Sequence, residues 1–325
     1  MAGFDTRFSQ VRELLARERS FLLPIVLLIV LVGLVTAKQP LFLDADSLRA
    51  LAMQASLILL ISVGQTLIIV IGSLDLSVAA VTSFSAVVLA EWLPHLGWLA
   101  LLAVIAMAMA ITAAEGFLFA TVQAPSFIVT LGGLSLFSGI ALSMTQGNAV
   151  AVFGSAHDPV AWAFGNVGGI PRSAVLAVVV VIIVGAVLRW TNLGRDVYAI
   201  GNSESAAALS GVRIRRVKVI VFALSGLSAA ITAVALVAQS YSASYDIATS
   251  LLLPGITAVV IGGTPITGGH GGLRGTVVGA LIIVTLQIGL TVVGVSADWQ
   301  QIVYGLVLVI GLALTTDRSK LGLLK

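Results

Sequence analysis

Asp75 and Glu115 are the two acids whose type and setting point to chemistry. Asp75 stands in "GSLDLSV" (72–78) and is the only charged residue between Arg49 and Glu91. Glu115 stands beside Gly116 inside a long apolar run. A carboxylate in or beside a membrane-length apolar run is a functional candidate, because its charge is costly to hold there unless something uses it. Two chemistries suit such a group: taking up and releasing a proton during transport, or lining a permeation path. A structural role competes with each. Gly72 and Ser73 precede Asp75, whose oxygens suit the first free amides of a following helix, so an N-cap is the favoured reading there. Glu115 lies near the expected inner end of its run, which favours a place at the membrane interface.

The glycine-rich stretch "GGTPITGGHGG" (262–272) invites a nucleotide-binding reading, which its chemistry rejects. A phosphate-cradling loop of the G-x-x-x-x-G-K-[ST] type needs its lysine and hydroxyl, and no lysine is present. Glycines at this density suit tight turns and close backbone approach, with His270 and Arg274 as gate or interface candidates. His95, His157 and His270 are far apart and lack metal-ligand spacing, so no metal is expected. No serine has a nucleophile elbow or a base partner, which leaves no catalytic residue to name. Neutral hydrogen-bonding groups in or near apolar runs, Ser56, Ser62, Gln65, Thr66, Ser135, Ser138 and Asn148, suit an uncharged polyhydroxy solute. Bonds between helices explain the same pattern and are the favoured reading for each residue taken singly. Gln65, Asp75, Ser77, Glu115 and Ser135 are the candidates for a permeation path or gate.

The elements that must position these residues follow from composition. The chain has 325 residues, 59% hydrophobic and 10% charged. That leaves too little polar surface for a soluble globule and indicates an all-α integral membrane protein. With about 20 residues needed per helical crossing, apolar runs predict about ten transmembrane helices. They fall near 21–37, 50–71, 75–91, 97–122, 126–145, 173–190, 219–239, 249–262, 273–294 and 298–315, the eighth short enough to be broken or re-entrant. There is no cysteine, hence no disulfide or thiolate chemistry. The net charge of +3 does not indicate nucleic acid, because the basic residues cluster in loops. Arg7, Arg12, Arg17 and Arg19 precede the first run, Arg195, Arg213, Arg215, Arg216 and Lys218 follow the sixth, and Arg318, Lys320 and Lys325 follow the tenth. Even numbers of crossings separate the three clusters, so all lie in the cytoplasm, together with both termini. The first run reads as a retained anchor rather than a cleaved leader.

Residues 1–20 repeat Phe8, Val11, Leu14 and Leu15 at helical spacing among arginines and read as a cytoplasmic amphipathic segment. Residues 21–315 form the transmembrane domain, and 316–325 a cytoplasmic tail. The stretch 146–171 is the longest external loop, open to an external partner or serving as a plain connection.

Within the domain, residues 194–218, "GRDVYAIGNSESAAALSGVRIRRVK", break the apolar pattern. Asn202 and Ser203 are N-cap types, Glu204 suits a helix N-terminus, and Gly211 supplies a stop. A short helix bounded by Gly201 and Gly211 is expected, too short to be stable alone. It is either a docking helix for a cytoplasmic motor or an ordinary basic loop.

"ESAAALSG" (204–211) resembles the coupling loop of ABC importer permeases, although Ser205 interrupts the pattern. In chain order, "GSLDLSV" (72–78), "PSFIVTLGGLS" (125–135), "GRDVYAIGNSESAAALSGV" (194–212), "VVIGGTPITGG" (259–269) and "WQQIVYGLVLV" (299–309) together resemble the ribose/xylose/arabinose-type sugar permease family over about 54–314. Glu115 departs from an asparagine-glycine pair common in that region of such permeases. The resemblance implies the ABC importer permease fold and a transport subunit without its own ATPase site. Two permease chains, identical or homologous, would form the path, in a bacterial-type cytoplasmic (inner) membrane. A separate ABC ATPase would use ATP, and an external solute-binding protein would deliver a monosaccharide or related polyol. Arg195, Glu204, Ala206, Ala207 and Gly211 would then couple to the ATPase. This chain would hold no cofactor; membrane lipid surrounds it, and nucleic acid is not a partner. Two alternatives remain open: a proton-coupled secondary carrier using Asp75 or Glu115, and an ABC permease for branched-chain amino acids or another small metabolite.

Overall fold

A computed structural model describes residues 22–122 and 124–315. The expected amphipathic segment 1–20 and the tail 316–325 lie outside the described residues.

The helices, in chain order, are α1 (Leu22–Lys38), α2 (Ala45–Val70), α3 (Val78–Leu96), α4 (Trp98–Val122), α5 (Ser126–Thr145), α6 (Asp158–Ala161), α7 (Arg172–Trp190), α8 (Asn192–Asn202), α9 (Glu204–Leu209), α10 (Ile214–Ser240), α11 (Leu252–Ile261), α12 (Leu273–Val292) and α13 (Ala297–Thr315). Seven of them, α2, α3, α4, α5, α7, α10 and α12, are long and apolar enough to cross a membrane; α1, α11 and α13 contain shorter apolar helices. A helix stands at each of the ten expected positions. The ends shift where polar residues extend a helix past its apolar run. Helix α2 begins at Ala45, where Arg49 Nη1 pairs with Asp46 at 2.7 Å and its Nε donates to the carbonyl of Gly169 at 3.0 Å. Helix α10 begins at Ile214 and carries Arg215, Arg216 and Lys218 within its first turns.

Helix α2 is the axis of the bundle. Nearly all of its apolar stretch is buried, whereas α5 and α7 expose most of theirs. Its polar residues make the bonds that join it to its neighbours. Ser62 Oγ donates to Ile58 and lies 3.1 Å from the Gly255 carbonyl of α11, and Thr66 Oγ1 lies 2.7 Å from Thr276 Oγ1 of α12. Ser228 of α10 donates to the Leu60 carbonyl. At Gly64 a Cβ would come within 2.9 Å of Ser225 Cα, so α2 and α10 touch backbone to backbone. Small residues and hydroxyls of this kind associate helices where water supplies no driving force. Ser62 and Thr66 thus reach neighbouring helices, whereas Ser56 donates to the Met53 carbonyl of its own helix.

The stretch 146–171 is ordered by short strands. β1 (Val150–Ala151) pairs antiparallel with β4 (Ser242–Ala243), with Val150 opposite Ala243, and β2 (Asn166–Val167) pairs with β3 (Ile170–Pro171). His157 stacks on Tyr241 at 4.1 Å, and its Nε2 lies 3.1 Å from the Ala238 carbonyl. This end of the bundle also holds the start of α2, through Arg49. Helices α8 and α9 and the glycine-rich loop gather around Val70, the last residue of α2, at the other end.

Candidate functional site

Residues 71–77 do not form a helix, so α3 starts at Val78 instead of 75. The turn folds back along α2, and its backbone is satisfied by side chains of two helices. Gln65 Nε2 of α2 donates to the Asp75 carbonyl at 2.6 Å. Leu74 N donates to Ser126 Oγ at 2.9 Å and Leu76 N to Thr130 Oγ1 at 3.1 Å, both on α5. A buried turn needs every amide paired, and these neutral groups supply the partners.

The turn delivers Asp75 to a fully buried position. Its Oδ1 accepts from the amide and the hydroxyl of Ser77 at 2.8 and 2.6 Å, and its Oδ2 accepts from Ser225 Oγ of α10 at 3.2 Å. The N-cap position of α3 falls at Ser77, without a side-chain capping bond; Asp75, two residues earlier, accepts from that residue's amide at the start of the helix and also ties the turn to α10. Glu115 of α4 is only 8% exposed and packed within the bundle. Its Oε2 lies 2.8 Å from Ser77 Oγ, and its Oε1 is buried without a hydrogen-bond partner among the described residues. Gly133 of α5 leaves the space this carboxyl fills, since a Cβ there would collide with Oε1.

Ser77 thus faces two carboxyls with a single hydroxyl hydrogen. It can donate to only one of them, so both contacts are hydrogen bonds only when the other carboxyl carries a proton and donates to Oγ. Four expected residues, Gln65, Asp75, Ser77 and Glu115, meet here. Ser135 does not join them and lies exposed on α5. Ser126, Thr130 and Ser225 complete the cluster and had no distinguishing sequence signal.

The second site is the segment after α7. Thr191 Oγ1 accepts from Gly194 N at 3.4 Å and starts α8, a helix the sequence reading did not anticipate. Gly194, Val197 and Ile200 are buried at a spacing of three and hold α8 against the bundle. Gly201 lies inside α8 instead of bounding the docking helix; a Cβ there would strike the Val70 carbonyl and Gly269. The break falls at Ser203, whose Oγ accepts from Ala206 N at 3.3 Å and caps α9. At the other end Gly211 adopts φ +86°, with its amide bonded to the Ala208 carbonyl and that of Val212 to the Ala207 carbonyl. This paired bonding is a Schellman C-cap and requires a left-handed residue, as glycine readily supplies.

On α9 only Ala207 is buried; Ala206 is exposed, and Leu209 is 92% exposed. Arg195 is exposed on α8 and bonds Asn192 Oδ1 at 2.6 Å. Glu204 pairs with Lys218 of α10, Nζ to Oε1 at 2.8 Å, and the same ammonium sits 4.3 Å from the centre of the Phe119 ring on α4. Leu209, Lys218 and Phe119 were not singled out as docking or coupling residues. Their roles depend on exposure and on a pairing 14 positions apart, which helical spacing does not encode.

The family described as "Branched-chain amino acid transport system / permease component" matches residues 47–312. The ribose import permease protein RbsC of Bacillus subtilis (strain 168) is 35% identical over 300 residues, 91% of this chain and 92% of that protein. RbsC of Escherichia coli (strain K12) is 33% identical over 300 residues, 91% of this chain and 93% of that protein. The D-allose transport system permease protein AlsC of the same strain is 30% identical over 284 residues, 86% of each. No solved structure matches.

Proposed function

Because the chain belongs to the branched-chain amino acid transport system / permease component family, we propose that it is the membrane-spanning permease subunit of an ATP-driven importer of a monosaccharide. The observation that carries this reading is near full-length similarity to permeases named for ribose and allose import. The exposed, doubly capped helix α9 at one end of the bundle supports it. In this reading α1, α11 and α13 join the seven longer helices to make ten membrane-embedded helices. Both termini face the cytoplasm, with α8 and α9.

Energy comes from a separate ATPase that docks on α9. A second permease chain completes the path, and an external binding protein delivers solute to the end that carries 146–171. Gln65, Asp75, Ser77 and Glu115 fix the α2–α3 turn against α4, α5 and α10. They are placed to hold one arrangement of the bundle against another, and ATP binding shifts that balance only by favouring one of the two.

The test is purification of the tagged full-length chain in mild detergent from its native membrane, followed by mass spectrometry and reconstitution. Recovery of an ABC ATPase, with ATP-dependent accumulation of ribose or allose, is the expected result. ATP-independent, proton-driven uptake by the chain alone would overturn the reading. Accumulation of a branched-chain amino acid in preference to either sugar would keep the mechanism and replace the substrate.

A further inference from the structure

The ammonium of Lys218 occupies an unusual place. Its side chain is only 8% exposed, yet a lysine head is a compact, strongly hydrated charge that is costly to bury. Two groups replace the lost water: the Glu204 carboxylate at 2.8 Å and the face of Phe119 at 4.3 Å. They come from α9 and α4, while Lys218 belongs to α10, so one ammonium joins three elements.

Helix α9 has six residues, too few to hold its own conformation or direction. Its C-terminal end is fixed covalently to α10 through residues 210–213, by way of the left-handed Gly211. Its N-terminal turn is fixed to α10 by Glu204. Ser203 also joins that turn to α8; without the ion pair, α9 would hinge at Ser203 and Gly211, and a push on its exposed face would reach α8 but not the α4–α10 pair. With both ends fixed, α9 moves with α10. Helix α4 is held to the same point, because Lys218 covers Phe119, Phe119 lies 5.8 Å from Phe222 of α10, and a Cβ on Gly116 would press into Phe222.

We propose that Lys218 is a positioning residue that makes α9 rigid with the α4–α10 pair, so that movement of a partner docked on α9 is delivered to the bundle. This rests on the importer reading above. Phe119 and Glu115 are four apart on α4 and share a face, so the helix clamped by Lys218 is the one that carries Glu115 to Ser77.

The experiment uses proteoliposomes holding the full chain with the ATPase that co-purifies with it, the binding protein outside, and ribose or allose as solute. ATPase retention, ATP hydrolysis and sugar accumulated per ATP are measured for wild type, Lys218→Met, Lys218→Arg, Glu204→Gln and the Lys218→Met/Glu204→Gln double variant. Lys218→Met is expected to retain the ATPase and hydrolyse ATP while sugar per ATP falls about tenfold. Lys218→Arg keeps the charge and the ring contact and stays within about threefold of wild type. The double variant loses no more than the worse single variant, as two members of one pair should. Unchanged sugar per ATP in Lys218→Met overturns the proposal, as does a parallel loss of hydrolysis and uptake that reports damaged folding. A wild type that retains no ATPase and accumulates neither sugar overturns the importer reading and this proposal with it.

Discussion

Glu115 and Phe119 lie one turn apart on the same face of α4, with Glu115 2.8 Å from Ser77 and Phe119 beneath the Lys218 ammonium at 4.3 Å. A single helical turn therefore separates the buried carboxyls at the α2–α3 turn from the ion pair between α9 and α10. Each end of that connection makes its own expectation.

Gly133→Ala should destabilise the chain, because the added methyl meets the Glu115 carboxyl. Overpacking of this kind costs about 1–3 kcal/mol. Adding Glu115→Ala removes the obstacle and should recover most of the loss, so a double-mutant cycle of melting temperatures in detergent gives a clearly non-additive result. Additive losses would mean that the two side chains do not meet.

Ser77→Ala removes the hydroxyl that contacts both the Asp75 and Glu115 carboxyls and should cost about 1–3 kcal/mol, the range for stranding buried polar groups. Glu115→Gln should cost less, because its amide can donate to Ser77 Oγ while Ser77 donates to Asp75. Thermal unfolding of the two variants at one pH decides this. Equal stability of Ser77→Ala and wild type would remove the hydroxyl from its bridging place.

Leu209→Asp changes a side chain that is 92% exposed. Stability should stay within about 0.5 kcal/mol, as is usual at the surface. The recovery of a co-purifying ATPase should fall several-fold, because an apolar contact has been replaced by a charge. Undiminished recovery would place the docking contact elsewhere on the segment.

Glu204→Ala and Lys218→Met break the same ion pair with unequal results. The first leaves the ammonium buried and unpaired, at about 1–3 kcal/mol, whereas the second leaves a half-exposed carboxylate that water solvates. Glu204→Ala is therefore the less stable variant. The reverse order of melting temperatures would show that Lys218 is not buried as described.

Gly201→Ala places a methyl against the carbonyl of Val70. Backbone cannot move aside as a side chain does, so α8 should lift from the end of α2. Limited proteolysis is expected to cut between 191 and 213 faster than in wild type; equal rates would separate α8 from this contact.

The sequence by itself determined the class of protein and roughly where its long apolar helices lie, because runs of apolar residues answer to hydrocarbon thickness, a local property of the chain. It also offered Ser203 as a cap type for α9 and placed the helix's stop at Gly211, since both act on amides and carbonyls only a few residues away, although it set the other bound at Gly201, which lies inside α8. The ordered blocks 72–78, 125–135, 194–212, 259–269 and 299–309 carried the family likeness. Only the tertiary structure decided what Asp75, Glu115 and Lys218 do. Asp75 read as a cap and Glu115 as an interfacial acid because sequence distance to a helix end was the available measure. Their tertiary contacts come from residues 38 and 150 positions away. Ser135 stays outside the cluster, exposed on α5. A hydroxyl in a helix looks alike in sequence whether it bonds its own previous turn, a neighbouring helix or a solute, and packing alone chooses among them.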